Sequence, residues 1–149
     1  MSTINEIITQ VKNILSADAD ITAFCQEKYG RNPFVKSGKF SIESVPLKEI
    51  PAVVVSDNYD ERVKERFSFS EYESTILITC GVLQKDTNLA DEEIAQFKGL
   101  VSAAVKKTPL LNGMADYSSI IKSKRVREIP HPLHFVELTM YVKWWNSQA

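Results

Sequence analysis

The sequence is poor in the residues that build catalytic and cofactor sites. Its 149 residues include two cysteines, two histidines and five glycines. Cys25 and Cys80 form no CxxC pair, and neither has a histidine close to it in sequence, which removes the usual signatures of redox and zinc chemistry. Cys80 falls mid-strand on the apolar side of Ile-Leu-Ile-Thr-Cys-Gly-Val, so it is read as a buried reduced thiol in a reducing compartment. Few glycines leave no long flexible linker and no Gly-rich phosphate loop, and no GxSxG, kinase or zinc signature is present. No apolar run is long enough to span a bilayer. The opening Met1-Ser-Thr-Ile-Asn-Glu-Ile lacks the basic and apolar regions of a signal peptide. Charge of one sign is also missing: 18 Lys and Arg face 19 Asp and Glu, a net of −1. That balance argues against coating nucleic acid or an anionic membrane by bulk charge. The expectation is a non-enzymatic chain with no cofactor, no metal and no membrane partner.

What is present reads as ordinary globular usage, 44% hydrophobic and 25% charged. A domain of this length buries about 70% of its unfolded surface, so residues 1–149 are read as a single domain needing no staple. Ile4, Ile7, Ile8, Val11, Ile14 and Leu15 recur at helical spacing, with Thr3 and Glu6 as a capping box. Asp20 is read as the cap of a second, short helix running to about Lys28 and ended by Gly30. Residues 31–50, broken by Pro33, Gly38 and Pro46, read as a long arm with one short strand. Pro51–Ser56 is a β-branched buried strand. Asp57–Glu71 is strongly charged and suits an extended hairpin. Tyr72–Leu83 follows as a strand with Ile76, Ile78, Cys80 and Val82 on one face.

Asp86–Asp91 reads as a turn, and Asp91, Glu92 and Glu93 as the acidic start of a helix. Its stripe is Ile94, Phe97, Val101, Ala104 and Val105, and Thr108-Pro109 ends it. Asn112-Gly113 is a turn, Ser118–Ile129 a strand, and Pro130-His-Pro132 a bend. The final strand, Leu133–Trp145, alternates for its whole length: Val136, Leu138, Met140, Val142 and Trp144 point one way, and Phe135, Glu137, Thr139, Tyr141 and Lys143 the other. The fold class that follows is α+β: a single mostly antiparallel β-sheet with two main helices packed on one face, plus a long arm or hairpin.

Three constellations merit weighing as sites. His131 and His134 in His-Pro-Leu-His supply fewer ligands than zinc requires, and read as solvent-facing turn histidines. Asp57, Asp60, Glu61 and Glu65 cluster, but Arg62, Lys64 and Arg66 interleave them, so a solvated charged surface is favoured over general acid–base chemistry. Lys122, Lys124, Arg125 and Arg127 form the one basic cluster, which either blunts a sheet edge or contacts phosphate. No aromatic residues accompany it for base stacking. On the last strand, Phe135, Tyr141 and Trp145 share a face with Glu137, Thr139 and Lys143. They are either covered by the arm or offered to a partner.

In order of elements the chain resembles the tail-terminator and tail-completion proteins of long-tailed bacteriophages, including the minor tail protein U type and Mu-like prophage tail components. The resemblance runs through the opening amphipathic helix, Ile-Pro-Ala-Val-Val-Val at 50–55, Glu73–Val82, Asp91–Val105 and the closing Phe-Val-Glu-Leu-Thr-Met-Tyr-Val-Lys-Trp-Trp. It implies a small α+β subunit that assembles as a ring, usually hexameric, on the end of a tail tube. The implied partners are further copies of itself, the tail tube protein and a head–neck connector protein, with DNA passing through unread; the implied location is the virion tail, after assembly in the host cytoplasm. The alternatives are another neck or head–tail connector protein, or a small nucleic-acid-binding module. A ring needs two different patches per subunit. The candidates are Phe34, Val35, Phe40 and Ile42 of the arm, Asp57, Asp60, Arg62, Arg66, Phe67 and Phe69 of the charged segment, and Phe135, Tyr141 and Trp145. Lys122, Lys124, Arg125 and Arg127 are candidates for contact with DNA in the lumen.

Overall fold

In a computed structural model, residues 2–39 and 49–147 are described. They form an α+β fold of three helices and a six-stranded, mostly antiparallel sheet. The elements in chain order are α1 (Ile4–Ala17), α2 (Ala19–Tyr29), β1 (Phe34–Ser37), β2 (Ala52–Asp57), β3 (Arg62–Glu65), β4 (Phe69–Leu83), α3 (Thr87–Lys106), a 3-10 turn at Leu111–Gly113, β5 (Tyr117–Arg125) and β6 (Leu133–Ser147).

The helix starts follow local capping chemistry. Glu6 N–H donates to Thr3 Oγ1 at 3.3 Å to open α1. The second helix is capped by Asp18, two residues earlier than the sequence suggests: Ile21 N–H donates to Asp18 Oδ1 at 2.9 Å. Asp18 thereby closes α1 and opens α2. Gly30, at φ 69°, ends α2 in the left-handed conformation that costs glycine least. Likewise α3 begins at Thr87 rather than Asp91, because the Asp86 carboxylate accepts from Asn88 N–H at 2.9 Å. The nearer aspartate wins in both cases because a cap must reach the N–H two or three residues on.

The sheet order is β1-β2-β4-β6-β5, with β3 also paired to β4. β4 and β6 pair along their full 15 residues, from Phe69↔Ser147 to Leu83↔Leu133, and form its spine. On the other side of β4, β2 takes Ile76–Gly81 and β3 takes Ser70–Glu73, so the charged segment does form a hairpin. β1 adds in parallel to β2, with Val35 opposite Val53.

All three helices lie on one face. Ile7, Val11 and Leu15 of α1, Ile21 and Cys25 of α2, and Phe97 and Val101 of α3 are buried against Val53, Ile76, Ile78, Leu138, Val142 and Trp144. Phe24 and Phe97 stack at 5.4 Å across α2 and α3. Trp144 stacks on Tyr72 at 5.5 Å, and its Nε1–H donates to Ser2 O at 3.1 Å.

Two further readings are corrected. β5 stops at Arg125, not Ile129, and a bulge falls between Ile120 and Lys122. His134 belongs to β6 rather than to the turn and is half-buried, with Nε2 3.2 Å from Gln84 O.

Candidate functional site

The helix-free face of the sheet divides into a dry end and a wet end. At the dry end, Ile50, Ala52, Val54, Leu133 and Phe135 form a second, small core, flanked by Leu83, Val126 and Ile129. Phe135 is fully buried there. Its expected role at a subunit interface is therefore corrected: the chain covers this ring itself, partly with the segment after β5. The arm residues Phe40 and Ile42 lie outside the described residues. Phe34 is partly exposed at the start of β1, and Val35 packs against the main core.

The wet end is formed by β3, the first half of β4, the second half of β6 and the start of β5. Cross-strand pairing sets Arg62 beside Glu73, Lys64 beside Glu71, Lys143 beside Glu73 and Tyr117, and Trp145 beside Glu71. Trp145 meets Phe69 at 5.3 Å, and Tyr117 meets Tyr141 edge-on at 5.9 Å. Trp145 and Tyr117 are each about half exposed, and Phe67, at the turn between β3 and β4, is fully exposed. Tyr117 was not singled out from the sequence, although its alternation with Ser119 carried that signal.

The same face holds an ion-pair lattice. Arg62 Nε lies 3.2 Å from Glu73, and Tyr141 OH donates to Glu73 Oε2 at 2.6 Å. Glu71 is bridged by Lys143 and by Arg66, the latter at 3.2 Å. The Lys143 hydrogen bond, followed by that from Arg66, holds the Glu71 carboxyl below its ordinary range. Burial, and then the hydrogen bond to Glu73, push Tyr141 up to about 12. A cavity of about 460 Å³ is lined by Arg62, Val63, Lys64, Glu71, Glu73 and Lys143. Its carboxylates are already engaged by cations or a phenol, an arrangement suited to a rigid polar surface. A general acid needs a carboxyl whose proton affinity is raised by burial, and Glu71 is shifted the other way.

Asp60 is a structural plug. Its carboxylate accepts from Thr75 N–H at 2.9 Å, Thr75 Oγ1 at 2.6 Å and Ser74 Oγ at 3.1 Å. It thus fills the gap on the β4 edge between β2 and β3. Burial raises its proton affinity, but the hydrogen bonds from Thr75 and Ser74 outweigh that and leave the carboxyl below its ordinary range. Asp57 accepts from Tyr59 N–H at 2.8 Å, fixing the start of the same loop.

The basic cluster is split by the pleat. Arg125 turns to the helix side, 2.7 Å from Asp91 and 2.9 Å from His134 Nδ1. Lys122 and Lys124 stay on the open face, with Lys124 3.7 Å from Glu137. Arg127 lies beyond the strand and is exposed. Among the described residues no group of three or more His, Cys, Asp or Glu is placed to hold a metal, and no helix is long and apolar enough to cross a membrane.

No family model matches the chain, and no curated protein matches it. Among solved structures, a chain from the virion of a native gene transfer agent (GTA) particle has a similar fold. The TM-score is 0.51 at 12% identity, over 93% of this chain and 94% of that one. At that identity the likeness is one of fold.

Proposed function

We propose that this chain is a non-enzymatic structural subunit of a virion, and more narrowly a ring subunit that caps the end of a phage or prophage tail tube. The observation that carries the proposal is the end-to-end fold correspondence with a chain of a virion particle, covering more than nine-tenths of both. Two features of the molecule support it. One sheet face carries exposed aromatics among ordered charges, a composition suited to protein contact. Glu71 and Glu73, the carboxylates of the groove on that face, are engaged by ion pairs with Lys143 and Arg62.

In this reading the ring ends tube polymerisation and offers a docking face to the head or neck, with DNA passing through the lumen unread. Its partners are other copies of the chain, the tail tube protein and a connector protein, and its place is the virion tail. The test is electron microscopy of tails assembled with and without the protein. Overlong tubes in its absence support the terminator role. Tubes of normal length joined to no heads favour a neck or connector role, and normal, fully joined particles exclude both.

A further inference from the structure

The loop between β2 and β3 and the β5 edge, on opposite sides of the β4–β6 pair, carry opposite charge. On one side, Asp57, Asp60 and Glu61 surround Tyr59. Tyr59 is 84% exposed yet has a fixed backbone, with φ at 56° and its N–H bound to Asp57. Left-handed backbone is costly for a bulky L-residue, and such strain concentrates at functional positions. Among the described residues it borders only an open groove shared with Asn5, Thr9 and Gly38. On the other side, the bulge of β5 presents Ile121, 58% exposed, with Lys122 and Lys124 beside it.

We propose that the Tyr59 loop of one copy docks on the β5 edge of a second copy, Tyr59 against Ile121, with Asp57 and Glu61 facing Lys122, while Lys124 stays paired with Glu137 of its own chain. This rests on the ring-subunit reading and names the two surfaces that meet. The geometry selects a second copy as the partner. Asp60 holds the loop against Thr75 of β4, so β4 and β6 separate it from β5. Three strand spacings make that about 14 Å, with β4 and β6 between the two patches, so one molecule cannot join its own. Pairing β5 with β5 would set Lys122 and Lys124 against like charges, and loop on loop would do the same with carboxylates. The remaining arrangement is heterologous, head to tail, the kind of contact that repeats around a ring. The lysines and the bulge disfavour simple strand addition at this edge. The contact is therefore made by side chains, an aromatic anchor inside a charged rim. Arg125 takes no part, being held by Asp91.

The test uses the full chain on tail tubes. In a Glu61→Cys, Lys122→Cys variant, a short bismaleimide is expected to link neighbouring copies into a ladder ending at a closed multimer; Cys25 and Cys80 are buried and silent. Tyr59→Gly removes the ring and the strained φ together, so the fold is retained while tube-end occupancy falls about tenfold, the loss expected of an interface anchor. Glu61→Lys and Lys122→Glu each reduce occupancy, and the two combined restore it. If wild-type copies join into multimers under carboxyl–amine cross-linking but the cysteine pair gives only monomers, this docking is overturned and the ring reading stands. Normal occupancy for Tyr59→Gly, or no rescue by the double reversal, also overturns it. Wild-type chains that stay monomeric on the tube overturn both.

Discussion

The ring of Phe135 lies directly over Gly81, its cross-strand partner between β6 and β4. A Cβ added to Gly81 would come within 2.2 Å of Phe135 Cε1, and Phe135 itself is fully buried. The pair joins the spine of the sheet to the small second core, because an aromatic laid across a strand glycine covers backbone that no side chain protects. Gly81→Ala is therefore expected to lower stability by about 1–3 kcal/mol, the usual cost of overpacking. Urea unfolding followed by circular dichroism measures it. An unchanged midpoint would show that the ring has room to move aside.

Val142 is fully buried between the sheet and the helices, in the cluster that includes Leu138 and Trp144. Val142→Asp puts an unpaired charge there, with an expected loss of about 3–5 kcal/mol and little folded protein at 37 °C. Soluble expression with a wild-type melting temperature would contradict this placement of β6.

Asp60 ties the β2–β3 loop to Thr75 and Ser74. Its carboxyl is depressed in the folded state, so its contribution is present above the unfolded value and is lost as pH falls through the folded one. Because the group is largely exposed, the effect is small. Asp60→Asn is expected to be less stable than wild type at neutral pH. The difference should close as the pH drops below about 4. Melting temperatures of both proteins across pH 2–7 give the comparison, and a constant gap would remove the charge from the explanation.

Cys25 and Cys80 are both buried free thiols, pushed up to about 12 by loss of solvent. Thiolate is the reacting species, so neither is expected to react with a disulfide reagent such as DTNB at pH 8 in the folded protein, and both should react once it is unfolded. Rapid modification of one thiol under native conditions would reveal local opening of α2 or β4.

Much of the architecture is legible from short-range pattern. The stripe Ile7, Ile8, Val11 and Leu15 names the buried side of α1. The alternation Val136, Leu138, Met140, Val142 and Trp144 names the dry face of β6. Such periods depend only on the geometry of a helix or strand, so they survive without knowledge of the neighbours. Helix starts were displaced by a few residues because several aspartates compete for one cap and only backbone geometry chooses among them. Within the ring-interface candidates, Trp145 and Phe67 are exposed, whereas Phe135 is buried and Asp60 acts as a plug.

The sequence by itself determined the fold class, the helix stripes, the dry face of the final strand and the scarcity of catalytic motifs. Tertiary structure alone decided what covers the other face. It closed Val126, Ile129 and Ile50 over Phe135 at one end and left Tyr117, Tyr141 and Trp145 open at the other. It also set the acidic Tyr59 loop and the basic β5 on opposite sides of the β4–β6 pair. Alternation marks two faces of a strand from local geometry, but which face is sheltered, and which edge a charge reaches, depends on chain segments more than 50 residues apart meeting in one register, as Gly81 and Phe135 do.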